Sequence, residues 1–597
     1  MIISKYSLKY YKKYALYFIL GIILLIAVDW IQLYIPEYTG NIVELLGKNL
    51  TPEIKGEISK YILYIILVAV GMFVGRLGWR YCILFTSRKI DRDIRRDMFM
   101  KAERLSLSYY HDNKVGTIMA WFTNDLETIE ESFGWGTNMM VDGIFLLALT
   151  LVKMFMNVDW FFSIISLVPV FLIIIWGMLV EKVMSDNWSN RQKSFDSLYD
   201  FAQENFTGIR VIKAFVKENK EILAFSKVAR KQYGTELKFV KVAIGFDVII
   251  EVIISLVFSI ILGFGGWFTY LTITGTPLVV GGYTVTLTAG KLVEFIGYFD
   301  TLIWPLIALG QIITMTAKGK ASLKRIEAFL NAKEDIVDIP NAKAFRAKGK
   351  ITFNHFFFKY PDDPNSEYLQ DISLTIMPGE KIGVVGKIGC GKSTLMNSLL
   401  RLYNVTPRSI MIDDVDIMDM QIYSLRENIA IVPQDNFLFS DTIESNISFS
   451  NKTMSKEKTR AAASFAGVAD DISHFTKQYE TVSGERGVTL SGGQKQRISL
   501  ARAFAKDAPI LILDDSVSAV DVKTEELILK NIKESREGKT TIVIASRIST
   551  VSHFDRIIVL NEGKLEAFDT PKRLEEISPT YQKMVFLQKL EKEVEGR

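Results

Sequence analysis

The apolar residues of this 597-residue chain are unevenly spread, gathering before about residue 315 in runs long enough to cross a bilayer. A crossing helix needs ~20 such residues, and hydrocarbon offers no water to an unpaired backbone amide. Runs of this kind are therefore restricted to helix. Six spans can be placed, at roughly 15–40, 60–85, 134–157, 160–181, 243–270 and 291–316. Three of the connectors are short and carry little positive charge. The other two are long and basic. Arg88, Lys89, Arg92, Arg95, Arg96, Lys101 and Arg104 follow span two, and Arg210, Lys213, Lys217 and Lys220 lie between spans four and five. Loops rich in Lys and Arg stay in the cytoplasm, which puts both long loops and both termini there. Their helical patterning predicts that the membrane helices run well beyond the bilayer before turning back; separate soluble subdomains are the alternative. Near the start, Lys5, Lys9, Lys12 and Lys13 precede an apolar run from Ala15 to Ile35. That run is too long for a secretion signal and no small-residue cleavage site follows, so a first membrane helix is expected.

Ionisable residues fall inside these spans: Asp29, Arg76, Arg80, Asp142, Lys153, Asp247, Glu251 and Asp300. Each costs ~2.5–3.5 kcal/mol at mid-depth on insertion scales, so each should face a protein interior or a wet cavity. Asp247 and Glu251, four apart, share a helix face. Acids outnumber bases, which suits a cationic or zwitterionic cargo. The competing reading is internal pairing, of Arg76 or Arg80 with Asp142 or Glu251. Pro169 and Pro305 are expected as helix kinks.

The formal charge of +4, with no basic tract interleaved with aromatic residues, gives no support to nucleic acid as a partner. Cys82 and Cys390 are the only cysteines, and with four histidines they supply neither a disulfide framework nor a metal cluster.

Beyond Leu330 the composition changes. Residues 331–350 are polar, contain Pro340 and read as a linker between a membrane domain, 1–330, and a second domain, 351–597. In the latter, short β-rich runs alternate with helical patterns, the mark of an α/β domain. Gly386-Lys387-Ile388-Gly389-Cys390-Gly391-Lys392-Ser393-Thr394 follows a strand-like run, Lys381–Val385, and opens a helical one, Leu395–Leu402. This is the full phosphate-loop pattern in its required context. The glycines let backbone N–H groups close around phosphates, and the helix start adds a favourable dipole. Lys392 should reach the β- and γ-phosphates of a nucleotide, and Ser393 should ligate magnesium. Downstream, Ile510–Asp515 reads as a buried strand carrying the magnesium-binding carboxylate Asp514. Cys390 has two readings, a redox sensor or a small residue tolerated at a variable loop position.

Leu490-Ser491-Gly492-Gly493-Gln494 followed by Lys495-Gln496-Arg497 resembles the signature motif of ABC transporters. Gly484-Glu485-Arg486-Gly487 is similar to the loop that precedes it in ABC exporters. Val432-Pro433-Gln434-Asp435 resembles their Q-loop, Tyr360-Pro361 their adenine-stacking position, and Ser518-Ala519-Val520-Asp521 their D-loop. In the membrane half, Gly116 to Asp125 and Glu204 to Lys213 are similar to exporter coupling helices. The resemblance covers essentially the whole chain. It implies an all-α membrane domain of six helices with long cytoplasmic extensions, fused to an α/β P-loop ATPase domain, with ATP and Mg2+ as cofactors. It also implies a half-transporter that pairs with a second subunit in the bilayer. Ser491, Gly492, Gly493 and Gln494 would then act on the partner's ATP, and Asp521 would cross to it.

Two positions depart from that pattern. Asp515 stands where the family keeps a water-activating glutamate, and Ser546 where it keeps a histidine. The aspartate is shorter by one methylene, and a displacement near 1 Å can cost ~10²-fold. The expectation is therefore an asymmetric pair, in which this chain's ATP site is degenerate and its signature completes a competent site in a different subunit. The rival is a slow homodimer in which Asp515 still serves. The expected cargo is an amphipathic, cationic small molecule, as in bacterial multidrug exporters of the plasma membrane. Lipid or peptide export, or an ATP-gated channel or regulator, are the alternatives.

Overall fold

A computed structural model describes residues 4–49, 51–280, 282–361, 363, 365–484, 487, 490–517 and 522–595. The chain forms two compact units, one of Met1–Met98 with Ala120–Leu330, the other of Phe99–Met119 with Asn331–Arg597.

Six helical stretches are long and apolar enough to cross a membrane: Ala15–Leu46, Pro52–Ala102, Val115–Val158, Trp160–Thr207, Glu218–Ile273 and Ala289–Leu330. Pro52–Ala102 is one helix of 51 residues, which at ~1.5 Å per residue is more than twice the ~30 Å of hydrocarbon. The basic loops are thus extensions of the membrane helices rather than soluble subdomains. The chain reverses through short helices, Leu107–Asp112 and Ile209–Ala214. Pro169 does more than kink the fourth span: helix stops at Leu167 and restarts at Val170. Pro305 stays inside its helix. The third span is irregular, with π-helical turns at Trp121–Asp125, Asp142–Leu146 and Met154–Val158.

The membrane unit turns apolar side chains outward. Leu63, Leu67, Val70, Phe73 and Val74 on the second span are all exposed. Several polar groups of its interior are paired. Glu294 is 1% exposed and accepts from Lys291 Nζ at 2.7 Å and from the Tyr298 hydroxyl at 2.9 Å. Asp125 accepts from Arg325 Nε and Ser322 Oγ, each at 2.8 Å, tying the third span to the sixth. Without water, van der Waals packing and such bonds hold membrane helices together.

The first and sixth spans meet main chain to main chain. A Cβ on Gly40 would lie 2.5 Å from the Gly290 carbonyl oxygen, and one on Gly290 would lie 2.4 Å from that of Gly40. The Gly290 N–H donates to Glu44 Oε2 at 3.2 Å. About two turns further along the sixth span, Gly297 is packed against Pro36.

In the second unit ten strands form one sheet. They are β3 (Ile351–Phe358), β4 (Leu369–Ile376), β5 (Lys381–Gly386), β6 (Ile410–Ile412), β7 (Val415–Asp416), β8 (Ile429–Val432), β9 (Ile510–Asp514), β10 (Thr540–Ile544), β11 (Arg556–Asn561) and β12 (Lys564–Asp569). Strands β1 (Val279–Val280) and β2 (Tyr283–Thr284) pair separately, between the fifth and sixth spans. The sheet order is β7-β6-β3-β4-β12-β11-β5-β10-β9-β8, and β11, β5, β10, β9 and β8 run parallel. Parallel strands are covered on both faces, and β9 shows why its sequence reads as a continuous apolar run. Ile510 and Ile512 join the core on one face with Ile382, Val384 and Leu395. Leu511 and Leu513 join the other with Val385, Val543 and Ile498.

Residues 331–350 are tied to this unit. Arg401 Nη2 donates to the Val337 carbonyl at 2.9 Å, Asn404 Nδ2 to that of Asp335 at 2.6 Å, and the Ala347 N–H to Asn428 Oδ1 at 2.9 Å.

The glycine crossing generates a test. Gly290→Leu forces the two spans apart and should lower stability by about 1–3 kcal/mol, the usual penalty for overpacking. Gly71→Ala, in open space, should be neutral or slightly stabilising through helix propensity. Thermal unfolding of both variants in detergent checks this; equal melting temperatures would refute the packing argument.

Candidate nucleotide site and membrane cavity

The parallel strands end together, and the candidate nucleotide residues lie at those ends. β5 runs into the phosphate loop and the helix Lys392–Leu399. Gly386 has φ 151°, and a Cβ there would sit 2.2 Å from the Leu560 carbonyl oxygen. Gly391 has φ 96°, and a Cβ would sit 2.6 Å from Leu369 Cδ2. Only glycine meets both demands. Gly389 also has positive φ, 82°. Lys392 Nζ donates to the carbonyls of Gly386 at 2.8 Å and Lys387 at 3.0 Å, so it arches over the loop. Cys390 is 4% exposed, and burial raises its thiol above the ordinary range, with Lys392 pulling it back. That is the opposite of the thiolate a redox sensor needs, and favours the small-residue reading.

Tyr360 is half-buried, edge-on to Phe358, Tyr368 and Tyr403 at 4.8–5.3 Å between ring centres. Its hydroxyl hydrogen-bonds Thr394 Oγ1 at 2.8 Å, linking the expected adenine-stacking ring to the phosphate-loop helix. No motif announces that bond. Asp514 closes β9 at 7% exposure. Burial raises its carboxyl above the usual range; the Ser393 hydroxyl and Lys392 pull it down, and neighbouring Asp515 raises it further. A buried carboxylate beside a serine hydroxyl is a hard-oxygen pair of the kind magnesium prefers. Gln434 is exposed, two residues beyond the end of β8, and β8 pairs with β9.

The two departures meet. Ile544 of β10 is in register with Asp514 of β9, which carries Ser546 beside Asp515. Ser546 Oγ donates to Asp515 Oδ2 at 3.0 Å. Asp515 has φ 47°, and its N–H donates to the Ile544 carbonyl at 3.0 Å. A non-glycine residue at positive φ is uncommon, so both the main chain and the carboxylate of Asp515 are directed by the neighbouring strand.

The signature opens the helix Gly492–Lys506 with a capping box. Ser491 Oγ accepts from the Gln494 N–H at 3.3 Å, and Gln494 Oε1 from the Ser491 N–H at 3.1 Å. Ser491 and Gly492 are exposed. Asp471 braces the motif from outside, accepting from Gln494 Nε2 at 3.0 Å and from Arg497 Nη1 at 2.8 Å. Asp471 lies some twenty residues from the motif, so spacing alone could not have found it. Asp521, with the rest of Ser518–Asp521, lies outside the described residues, as do Glu485 and Arg486.

In the membrane unit a cavity of about 350 Å³ gathers five of the eight ionisable residues of the spans: Asp29, Arg76, Arg80, Asp142 and Asp300. Asp247 and Glu251 are exposed on the fifth span and do not line it. The expected pairing of Arg76 or Arg80 with Asp142 or Glu251 is not made among the described residues. Arg76 instead donates to Gln32 Oε1 at 3.2 Å, and Arg80 lies 5.7 Å from the Trp79 ring centre. Lys153 pairs with Glu37 at 2.6 Å. Asp142 Oδ2 accepts from Trp304 Nε1 at 2.7 Å and Asn138 Nδ2 at 3.0 Å. Those two partners were missed, although Asn138 stands four before Asp142 and Trp304 four after Asp300, a spacing that puts each pair on one helix face.

Comparison with known proteins bears on the whole chain. Residues 18–306 match the family described as ABC transporter transmembrane region, and residues 369–518 that described as ABC transporter. The chain is 31% identical to the probable multidrug resistance ABC transporter ATP-binding/permease protein YheI of Bacillus subtilis (strain 168), covering 95% of this chain and 94% of that protein. It is also 31% identical to the multidrug resistance-like ATP-binding protein MdlA of Escherichia coli (strain K12), over 96% and 94%. A solved bacterial Atm1-family ABC exporter with ATP bound superposes with TM-score 0.76 at 25% identity, covering 97% of this chain and 98% of that one. Six apolar crossings, an α/β unit with a phosphate loop and signature, and full-length relatives agree: the chain belongs to the ABC transporter family, a multi-pass membrane protein of exporter-type fold whose ATPase is coupled to transport.

Proposed function

We propose that this chain is one half of a heterodimeric ABC exporter that moves amphipathic compounds out of the bacterial cytoplasm, and that its own ATP site is degenerate. The observation that carries the reading is the hydrogen bond from Ser546 to Asp515. Where the family pattern has a longer carboxylate and an imidazole, both reaching for the γ-phosphate, this chain has two short side chains joined by a hydrogen bond. Water positioning in phosphoryl transfer is geometric, and a shortfall near 1 Å costs ~10²-fold.

In this reading the phosphate loop from Gly386 to Thr394 holds the phosphates and Tyr360 stacks on adenine. Ser393, Asp514 and Gln434 would hold magnesium, which neutralises charge on the β- and γ-phosphate oxygens when bound. Asp515 and Ser546 then leave the ATP in place with little turnover. The signature is unaltered: Ser491, Gly492, Gly493 and Gln494 form a helix start whose first two residues are exposed, suited to a γ-phosphate held by the other subunit. That subunit supplies the working glutamate and histidine. The basic loops support a cytoplasmic ATPase unit and cytoplasmic termini, and the multidrug names of the relatives support amphipathic cargo. A slow homodimer is the competitor, because Asp515 is still a carboxylate.

Purified alone, the chain should show negligible ATPase activity, and robust activity when co-expressed with the half-transporter encoded beside it. Mutating the partner's catalytic glutamate should abolish that activity, whereas Asp515→Asn should only reduce it. Strong turnover by the chain alone would establish the homodimer instead.

A second prediction concerns the pair of departures. With the partner's glutamate disabled, Asp515→Glu combined with Ser546→His should restore hydrolysis by about tenfold or more. Each single change should restore less. No gain from the double variant would mean that the site is limited by something other than these two side chains.

A further inference from the structure

The helix Lys5–Lys13 is fastened to the second span twice, in the same way each time. Asp93 Oδ2 accepts from Lys13 Nζ and, at 2.8 Å, from the Tyr14 hydroxyl, while Arg92 Nη2 donates to Oδ1 at 3.0 Å. Asp97 Oδ2 accepts from Lys9 Nζ at 3.2 Å and from the Tyr10 hydroxyl at 3.1 Å, while Arg96 Nη2 donates to Oδ1 at 3.3 Å. Every partner in one set stands four residues from its counterpart in the other, so the two sets repeat on one face of each helix. The result is a ladder of two rungs, ~6 Å apart. Each rung is a lysine, a tyrosine and an arginine on one carboxylate.

Fastening the helix takes one cation per carboxylate, and each carboxylate here has two. The acids form the inner layer, with Asp93 2% exposed, whereas the side chains of the four cations are 48–71% exposed. An ammonium has three donors and a guanidinium five, and each spends only one or two on its carboxylate. Lys12 and Lys89, three residues from Lys9 and Arg92, extend the same faces. Lys89 Nζ lies 4.6 Å from the Tyr17 ring centre, and neither lysine has an acidic partner among the described residues. Other acids nearby in sequence or space are engaged elsewhere: Asp91 with Arg95 at 3.0 Å, Glu130 with Arg88 at 2.8 Å. The ladder is thus a net positive surface with donors to spare, and its complement is an anion with several acceptor oxygens.

Depth identifies the anion. Exposed apolar side chains begin directly beside the ladder, with Leu16, Ile19 and Leu20 on the first span and Tyr81 and Phe85 on the second. The rungs therefore stand where hydrocarbon gives way to the headgroup layer. Phosphate oxygens lie at that level, and guanidinium and ammonium groups together suit them. We propose that the ladder is a binding site for anionic phospholipid. The phosphate of one lipid lies across the exposed lysine and arginine of a rung, and its acyl chains lie against the first and second spans. The carboxylates hold the cations from behind and fix their spacing. An ordinary basic belt attracts anionic lipid diffusely, whereas the ladder holds it at one place. The site belongs to the membrane unit and is independent of the exporter reading above.

The test is native mass spectrometry of the full chain in detergent, titrated with dioleoylphosphatidylglycerol or with zwitterionic dioleoylphosphatidylcholine and read as the Kd of the first bound lipid. The anionic lipid should bind about fivefold more tightly, the scale of one Lys or Arg near an anionic surface. Arg92→Gln with Arg96→Gln, which leaves a lysine and a tyrosine on each carboxylate, should remove most of that preference. Lys238→Gln with Lys241→Gln is the control, because both lysines are exposed just before the apolar run of the fifth span. Their loss should leave the preference unchanged. Equal affinities for the two lipids overturn the site. So does an equal fall in both double variants, which would reduce the ladder to a diffuse belt. If the arginine variant does not fold, Lys9→Gln with Lys13→Gln, which keeps an arginine on each carboxylate, decides in its place. Millimolar inorganic phosphate at constant ionic strength should not displace the lipid; displacement would mean that the site takes free phosphate, and the lipid assignment would fall.

Discussion

A backbone amide in hydrocarbon has no water to bond, and the architecture of the first 330 residues follows from that. Each crossing must be a helix, and a helix once started need not stop at the bilayer surface. Pro52–Ala102 and Glu218–Ile273 continue for 51 and 56 residues. The same absence of water inverts the usual packing rule. Apolar side chains gain no hydrophobic free energy by burial against each other, so the second span turns them outward, and the helices are joined by van der Waals packing, as around Phe162, Phe268 and Phe295, by small residues and by satisfied polar groups. Asp125 with Arg325, Glu294 with Lys291 and Tyr298, and the bare contact of Gly40 with Gly290 are these joints.

Against that economy, unsatisfied polar atoms stand out. Glu294 shows that the fold can complete a buried carboxylate when doing so serves structure alone. Asp29 and Asp142 lie in the same bundle with oxygens left over. In the ATP-binding unit Asp515 accepts a hydrogen bond from Ser546.

Much of this was legible in the residues, for identifiable reasons. The crossings were, because hydrocarbon imposes length and composition directly. The phosphate loop and signature were, because backbone approach to phosphate needs glycine at fixed offsets, and Gly386 and Gly391 meet walls that no Cβ could share. What could not be read was the rotation of one helix against another. Arg76, Asp142 and Glu251 all fall within apolar spans, but whether they pair depends on which way each helix turns, and π-helical turns in the third span shift that phase. The contact between Ser546 and Asp515 depends on the register of β9 with β10, which joins segments some thirty residues apart in sequence. The bond between Tyr360 and Thr394 is of the same kind.

The crossing of Gly40 with Gly290 also has a mechanical meaning. Two backbones touching without side chains between them cannot slide by a turn, since Pro36 or Glu294 would be driven into the opposing main chain. Gly297 against Pro36 and the Gly290 N–H on Glu44 hold the same two helices at further points, so rotation about the glycines is blocked as well. The end of the first span and the start of the sixth therefore move as one body, and a displacement of either is handed to the other without loss.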